Sequence, residues 1–108
     1  MIFSITTCTD AFDATAKNGK NYKDRDYRTV GYYFNKERAV KAVETNEGDI
    51  HEKVYRYAII EAVPEGVYPI PKRKEEQWYE WNVGKGQFEP CDKPSDDDLQ
   101  QTVGFALG

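Results

Sequence analysis

The chain has 108 residues, of which 39% are hydrophobic, 14% aromatic and 31% charged, with 8 Gly and 5 Pro. This composition excludes a disordered tail, a fibrous repeat and a membrane protein, and the length points to a single domain built on one core. Fifteen Lys and Arg stand against nineteen Asp and Glu, a net charge of −4.

The charge is unevenly spread. Residues 1–54 carry nine basic and nine acidic side chains, whereas residues 55–108 carry six and ten. Segment 89–98 holds the whole excess, with Glu89, Asp92, Asp96, Asp97 and Asp98 against Lys93. Direct nucleic-acid binding is therefore not expected, because neutralising phosphates requires clustered cations. The two cysteines, Cys8 and Cys91, are far apart and form no C-x-x-C, so neither a disulfide framework nor a zinc site is expected. The short apolar start lacks a basic flank, so no signal peptide is expected. A reduced, cytoplasmic protein without cofactors fits these features.

Taken in chain order, Ile2-Phe3-Ser4-Ile5-Thr6 alternates and is rich in β-branched and aromatic residues, which predicts a strand. Residues 9–26 lose nearly all apolar character apart from Phe12 and Tyr22. They predict a long polar loop, with a turn at Asn18-Gly19. Arg28 to Phe34 resumes strand character. Asn35 is placed to cap a helix over about 36–46, whose Ala39, Val40, Ala42 and Val43 share one face, and Gly48 is the expected stop.

Lys53 to Val63 predicts a long strand, and Pro64-Glu65-Gly66 a turn. Val67 to Ile70 can return only as an edge segment, since Pro69 and Pro71 lack a backbone donor. Lys72-Arg73-Lys74, followed by Glu75-Glu76, reads as a solvated loop. Gln77–Val83 and Gln87–Glu89 flank Gly84-Lys85-Gly86, a hairpin pattern. Ser95 with Asp98 can cap a short helical turn, and Thr102 to Leu107 predicts a last strand. The whole is an α+β fold, mainly an antiparallel sheet with one principal helix packed on one face.

Signals for chemistry are sparse. His51 is the only histidine, and Ser4 and Ser95 are the only serines, neither in a G-x-S-x-G turn. A Cys8–His51 pair, or the acidic residues, would be the means of a small enzyme acting on a small molecule. Asp96-Asp97-Asp98 lacks the glycine and distal glutamate of a calcium loop and reads as a solvated or partner-facing acidic segment. Gly84-Lys85-Gly86 is too short for a phosphate-binding loop.

Aromatic residues stand out instead: eight Tyr, five Phe and two Trp. Alternation puts Trp78 and Glu80 on one face of a strand and Tyr79 and Trp81 on the other, and lines up Tyr55 with Tyr57. Aromatics on both faces mean that one set forms core and the other meets a partner, a ligand or the polar loop. Tyr and Trp suit interfaces and planar ligands, and a neighbouring Arg can hold a phosphate or carboxylate. The candidate binding residues are Tyr22, Arg25, Tyr27, Arg28, Tyr55, Arg56, Tyr57, Trp78, Tyr79 and Trp81.

Three stretches resemble a known group. They are Val30-Gly31-Tyr32-Tyr33-Phe34 leading into the helix, Tyr57-Ala58-Ile59-Ile60-Glu61-Ala62-Val63-Pro64-Glu65-Gly66-Val67-Tyr68-Pro69, and Trp78-Tyr79-Glu80-Trp81 with the terminal Val103-Gly104-Phe105-Ala106-Leu107-Gly108. Together they resemble small proteins of bacterial and phage or mobile-element genomes. The resemblance implies a fold but carries over no catalytic residue. It implies a setting in which small acidic proteins counter host defence, by occluding a protein or sequestering a nucleotide-like ligand.

The expectation is a non-catalytic binding module, homo-oligomeric, with a host protein or a small nucleotide-like ligand as partner. The alternatives are the small enzyme above and a structural subunit of a larger assembly.

Overall fold

The computed structural model describes residues 1–10 and 12–94, with backbone alone at Lys23 and Arg73. In chain order its strands are β1 (Ile2–Cys8), β2 (Phe12–Thr15), β3 (Asn21–Asp24), β4 (Tyr27–Tyr33), β5 (Tyr57–Val63), β6 (Lys72–Asn82) and β7 (Gln87–Cys91), with one helix, α1 (Lys36–Glu44), between β4 and β5. Five strands form an antiparallel sheet in the order β4-β1-β5-β6-β7, and β2 and β3 form a separate ribbon. The α+β architecture expected from the sequence is the one observed.

The central strand explains the two cores. All seven residues of β5 are buried, because β1 and β6 flank it on either side. Its alternation sends Ala58 and Ile60 toward α1, where Ile5, Tyr79 and Phe88 join the helix residues Ala39, Ala42 and Val43. The small alanines let the helix axis approach the sheet closely. Tyr57 and Ile59 point the other way and pack with Cys8 and Trp78 on the far face.

Helix α1 starts as the sequence predicts: the Asn35 side chain accepts from the backbone N–H of Arg38 at 3.1 Å. It ends earlier than expected, at Glu44, where Thr45 turns back on the Lys41 carbonyl. Asn46 then adopts φ 50°, and a 3₁₀ turn at Glu47–Asp49 carries Gly48 past the helix end.

Four expectations need correction. The 9–26 segment is not a loop but a hairpin, whose turn at Asn18-Gly19 is fixed by Gly19 at φ +82° and by the Asn18 side chain accepting from the Lys20 N–H. Its strands are too polar for periodicity to reveal, since the ribbon packs on neither core. The long strand begins at Tyr57, not Lys53, because Glu52 and Lys53 lie at positive φ and 51–54 forms turns. Lys72-Arg73-Lys74 belongs to β6 rather than to a loop. The β5–β6 pairing jumps from Ile60↔Gln77 to Ala62↔Lys72, so β6 holds extra residues that disguise its strand character. Val67–Ile70 forms no strand. Ser95 and the strand expected at Thr102–Leu107 lie outside the described residues, as do Asp96, Asp97 and Asp98.

Candidate binding surface

The far face gathers four of the candidate residues in one row. The Tyr57 ring lies between two guanidinium groups, with Arg25 Cζ 5.1 Å and Arg56 Cζ 5.4 Å from its centroid. Trp78 meets Tyr57 edge-on at 5.8 Å, and Lys93 Nζ lies 6.0 Å from the Trp78 ring. Beside Trp78 runs a groove of about 470 Å³ between Glu76, Pro90, Cys91 and Lys93. Local sequence explains the assembly. Tyr57 and Trp78 face the same way in paired strands, and the base of the β2–β3 ribbon delivers Arg25, whose Nη1 donates to the Thr9 carbonyl at 2.8 Å.

The cations of this row are engaged within the chain. Arg56 Nη1 donates to Asp10 at 2.7 Å, and its Nη2 meets Glu80 at 3.0 Å. Burial works against the Arg56 charge, but the bond to Asp10 and the field of Glu80 outweigh it and raise its pKa. Lys93 pairs with Glu76 at 3.5 Å, and Glu76 also accepts from the Trp78 indole. Arg25 is buried. A phosphate or carboxylate ligand would have to displace these carboxylates, since Asp10, Glu76 and Glu80 balance Arg25, Arg56 and Lys93.

The other candidates lie elsewhere. Tyr79 and Trp81 face α1: Tyr79 is buried in the core, and Trp81 is stacked on His51 at 3.8 Å with 7° between planes. Phe88 meets both rings edge-on, at 5.0 Å from Trp81 and 6.0 Å from His51. Burial lowers the His51 pKa. Arg28 donates to both oxygens of Glu52, at 3.1 and 3.2 Å, which fastens β4 to the 51–54 turns. Tyr22 is exposed on the ribbon, Tyr27 on β4, and Tyr55 lies half-buried before β5.

The Cys8–His51 pair does not assemble. Cys8 belongs to the far-face core and His51 to the helix side, so the sheet separates them. Burial pushes the Cys8 thiol up to about 12, which withholds the thiolate a nucleophile needs. Among the described residues no group of three or more His, Cys, Asp or Glu is placed to hold a metal ion, and no helix is long and apolar enough to cross a membrane.

One surface escaped the sequence reading. At the end of the sheet where β1 begins and β5 ends, a groove of about 440 Å³ is lined by Met1, Ile2, Phe34, Val63, Pro64 and Pro69. Around and beyond it stand Phe34, Val67, Tyr68 and Ile70, with 79%, 87%, 85% and 75% of their surface exposed. Phe34 precedes the helix cap and occupies the position that usually folds back onto the first turn, yet it points outward. Tyr68 holds φ +47°, a conformation that costs an L-residue about 1–2 kcal/mol. The readable signal was the run Val67-Tyr68-Pro69-Ile70, apolar but unable to join a ladder through its proline. Comparison with family models, curated proteins and solved structures returned no match.

Proposed function

We propose that this chain is a non-catalytic binding module that docks a protein through the apolar end of its sheet. The observation that carries the reading is the exposure of Phe34, which lines the groove, and of Val67, Tyr68 and Ile70, in the loop whose Gly66 and Pro69 line it. Large apolar side chains exposed beside a groove on a small domain mark an interaction site, and a Tyr held at positive φ argues that display outweighs local stability there. In the specific form of this reading, which rests on the resemblance of the sequence motifs alone, the docked protein is a host defence component inhibited by occlusion.

The second form, a nucleotide-like ligand on the Arg25–Tyr57–Arg56–Trp78 row, draws support from the cation–aromatic geometry. The intramolecular pairing of Arg56 and Lys93 argues against it. The test is capture from host lysate with the wild type, with a Val67→Ser/Tyr68→Gly/Ile70→Ser triple variant and with Trp78→Phe. The docking reading predicts proteins retained by the wild type and by Trp78→Phe but lost with the triple variant. Equal retention by all three overturns it, as does a nucleotide that raises the melting temperature of the wild type but not of Trp78→Phe.

A further inference from the structure

The two edges of the described sheet differ in kind. The edge strand β7 has five residues and is blunted by Pro90, which offers no N–H. The other edge, β4, has seven residues, no proline and one charge, and five of its seven residues are exposed. An exposed, proline-free edge of this length with a single charge is a template for another strand.

The faces of β4 follow from its pairing with β1. Tyr27 and Thr29 lie opposite Cys8 and Thr6 on the far face, where the Thr6 and Thr29 hydroxyls are 2.9 Å apart. Tyr32, opposite Ser4, is on the same face, and Phe34 meets the Tyr32 ring edge-on at 5.7 Å. Arg28, Gly31 and Tyr33 lie opposite Thr7, Ile5 and Phe3, on the helix side. The register shift opposite Ile5 and Thr6 leaves Val30 as the extra residue. Far-face residues are therefore odd-numbered before Val30 and even-numbered after it.

We propose that β4 pairs antiparallel with β4 of a second copy about a two-fold axis between Val30 and Gly31, joining two sheets into one. Residues directly opposite in an antiparallel pair must share a face. An ordinary strand satisfies that rule with itself only when residues of like parity meet. The bulge reverses the requirement, and the register centred between Val30 and Gly31 is the one that pairs β4 along its whole length. Tyr27 then faces Phe34 of the second copy, Arg28 faces its Tyr33, and Thr29 faces its Tyr32. Each far-face pair matches an aromatic ring with an aromatic or β-branched neighbour, and Arg28 meets a ring it can lie against. A bulge ordinarily twists an edge away from partners. Here it sits on the symmetry axis and brings the faces into agreement. The two-fold repeats every pair, as closed dimers do.

This interface deepens the binding-module reading by naming one partner; it shares Phe34 with the apolar end of the sheet but leaves the Val67–Ile70 loop free. The test is sedimentation equilibrium across micromolar concentrations, on the wild type, on Tyr32→Lys, on Val30→Lys and on Tyr68→Gly, with circular dichroism to show that each folds. The expected result is a wild-type mass twice the 12.5 kDa chain. Each Lys variant should weaken the dimer about tenfold or more: Tyr32→Lys loses its two symmetric pairs with Thr29, and Val30→Lys sets two like charges beside the two-fold axis. Tyr68→Gly should remain dimeric, so loss of protein docking and loss of the dimer are separable. A monomeric wild type overturns the proposal, and so does a dimer that either folded Lys variant leaves as tight as before.

Discussion

Replacing Tyr68 by Gly should leave the protein at least as stable while removing the feature that binds. Tyr68 sits at φ +47° with 85% of its surface exposed. The left-handed conformation costs about 1–2 kcal/mol for a residue with a Cβ, a cost that glycine does not incur. Against this, glycine adds about 0.4–1 kcal/mol of unfolded-state entropy to be lost on folding. The side chain buries too little surface to add a comparable term. The balance is a gain of about 0–1.6 kcal/mol, or up to about 8 °C in melting temperature for a domain of this size. Thermal melting followed by circular dichroism reads it directly. Tyr68→Ala serves as the control: it keeps the backbone cost, so it should melt within about 2 °C of the wild type. A fall of more than about 5 °C in Tyr68→Gly would refute the reasoning, because it would mean that the ring supports the loop rather than being displayed by it.

Phe88, 1% exposed and meeting both Trp81 and His51 edge-on, anchors the helix-side core. Phe88→Ala should cost about 3–5 kcal/mol in denaturant unfolding. His51 is neutral in its stack on Trp81, and burial holds its pKa below the usual value. The unfolded chain therefore binds a proton before the folded one does, so this contribution to stability is complete above the unfolded pKa and is lost as pH falls from there toward the folded pKa. The same protonation should quench Trp81, giving a fluorescence midpoint below pH ~6.5 that disappears in His51→Phe. The Cys8 and Cys91 thiols, pushed up to about 12 and about 11 by burial, should resist alkylation at pH 8 until denaturant is added. Cys8, with no exposed surface, should react last. Arg56→Ala removes two exposed ion pairs and should change stability by less than about 1 kcal/mol, with the difference shrinking at high salt.

The elements that packing dictates were legible in the sequence. The apolar run at Tyr57–Val63, the spacing of Ala39, Ala42 and Val43 behind Asn35, and the Gly84-Lys85-Gly86 turn all lead to observed elements. The β2–β3 ribbon was not legible. Asp13, Asn21 and Asp24 carry little strand preference, and the ribbon forms through local pairing and its tie at Thr9 and Asp26. The first half of β6 was hidden by its charges, which alternation cannot sort where the pairing register jumps.

The candidate site was legible only in part. Sequence placed Tyr57 and Trp78 in strands without pairing them; the structure pairs those strands and brings Arg25 and Arg56 onto the Tyr57 ring. It could not foresee that Asp10 and Glu80 would engage Arg56, since that pairing joins residues 46 positions apart. Nor could it show that Trp81 is occupied by His51, a contact set by the turns between α1 and β5. In the sequence, Phe34 ends one expected strand and Val67, Tyr68 and Ile70 belong to a separate edge segment. Only the fold places Phe34 and the loop after β5 around a common groove.

Native mass spectrometry of the protein as purified from cells, set against its denatured mass, tests the central claim most directly. The account predicts masses made only of this chain and of any co-purifying protein, with no discrete small-molecule addition. A stoichiometric added mass of nucleotide size, lost on denaturation, would contradict it and return the function to the Arg25–Tyr57–Arg56–Trp78 row.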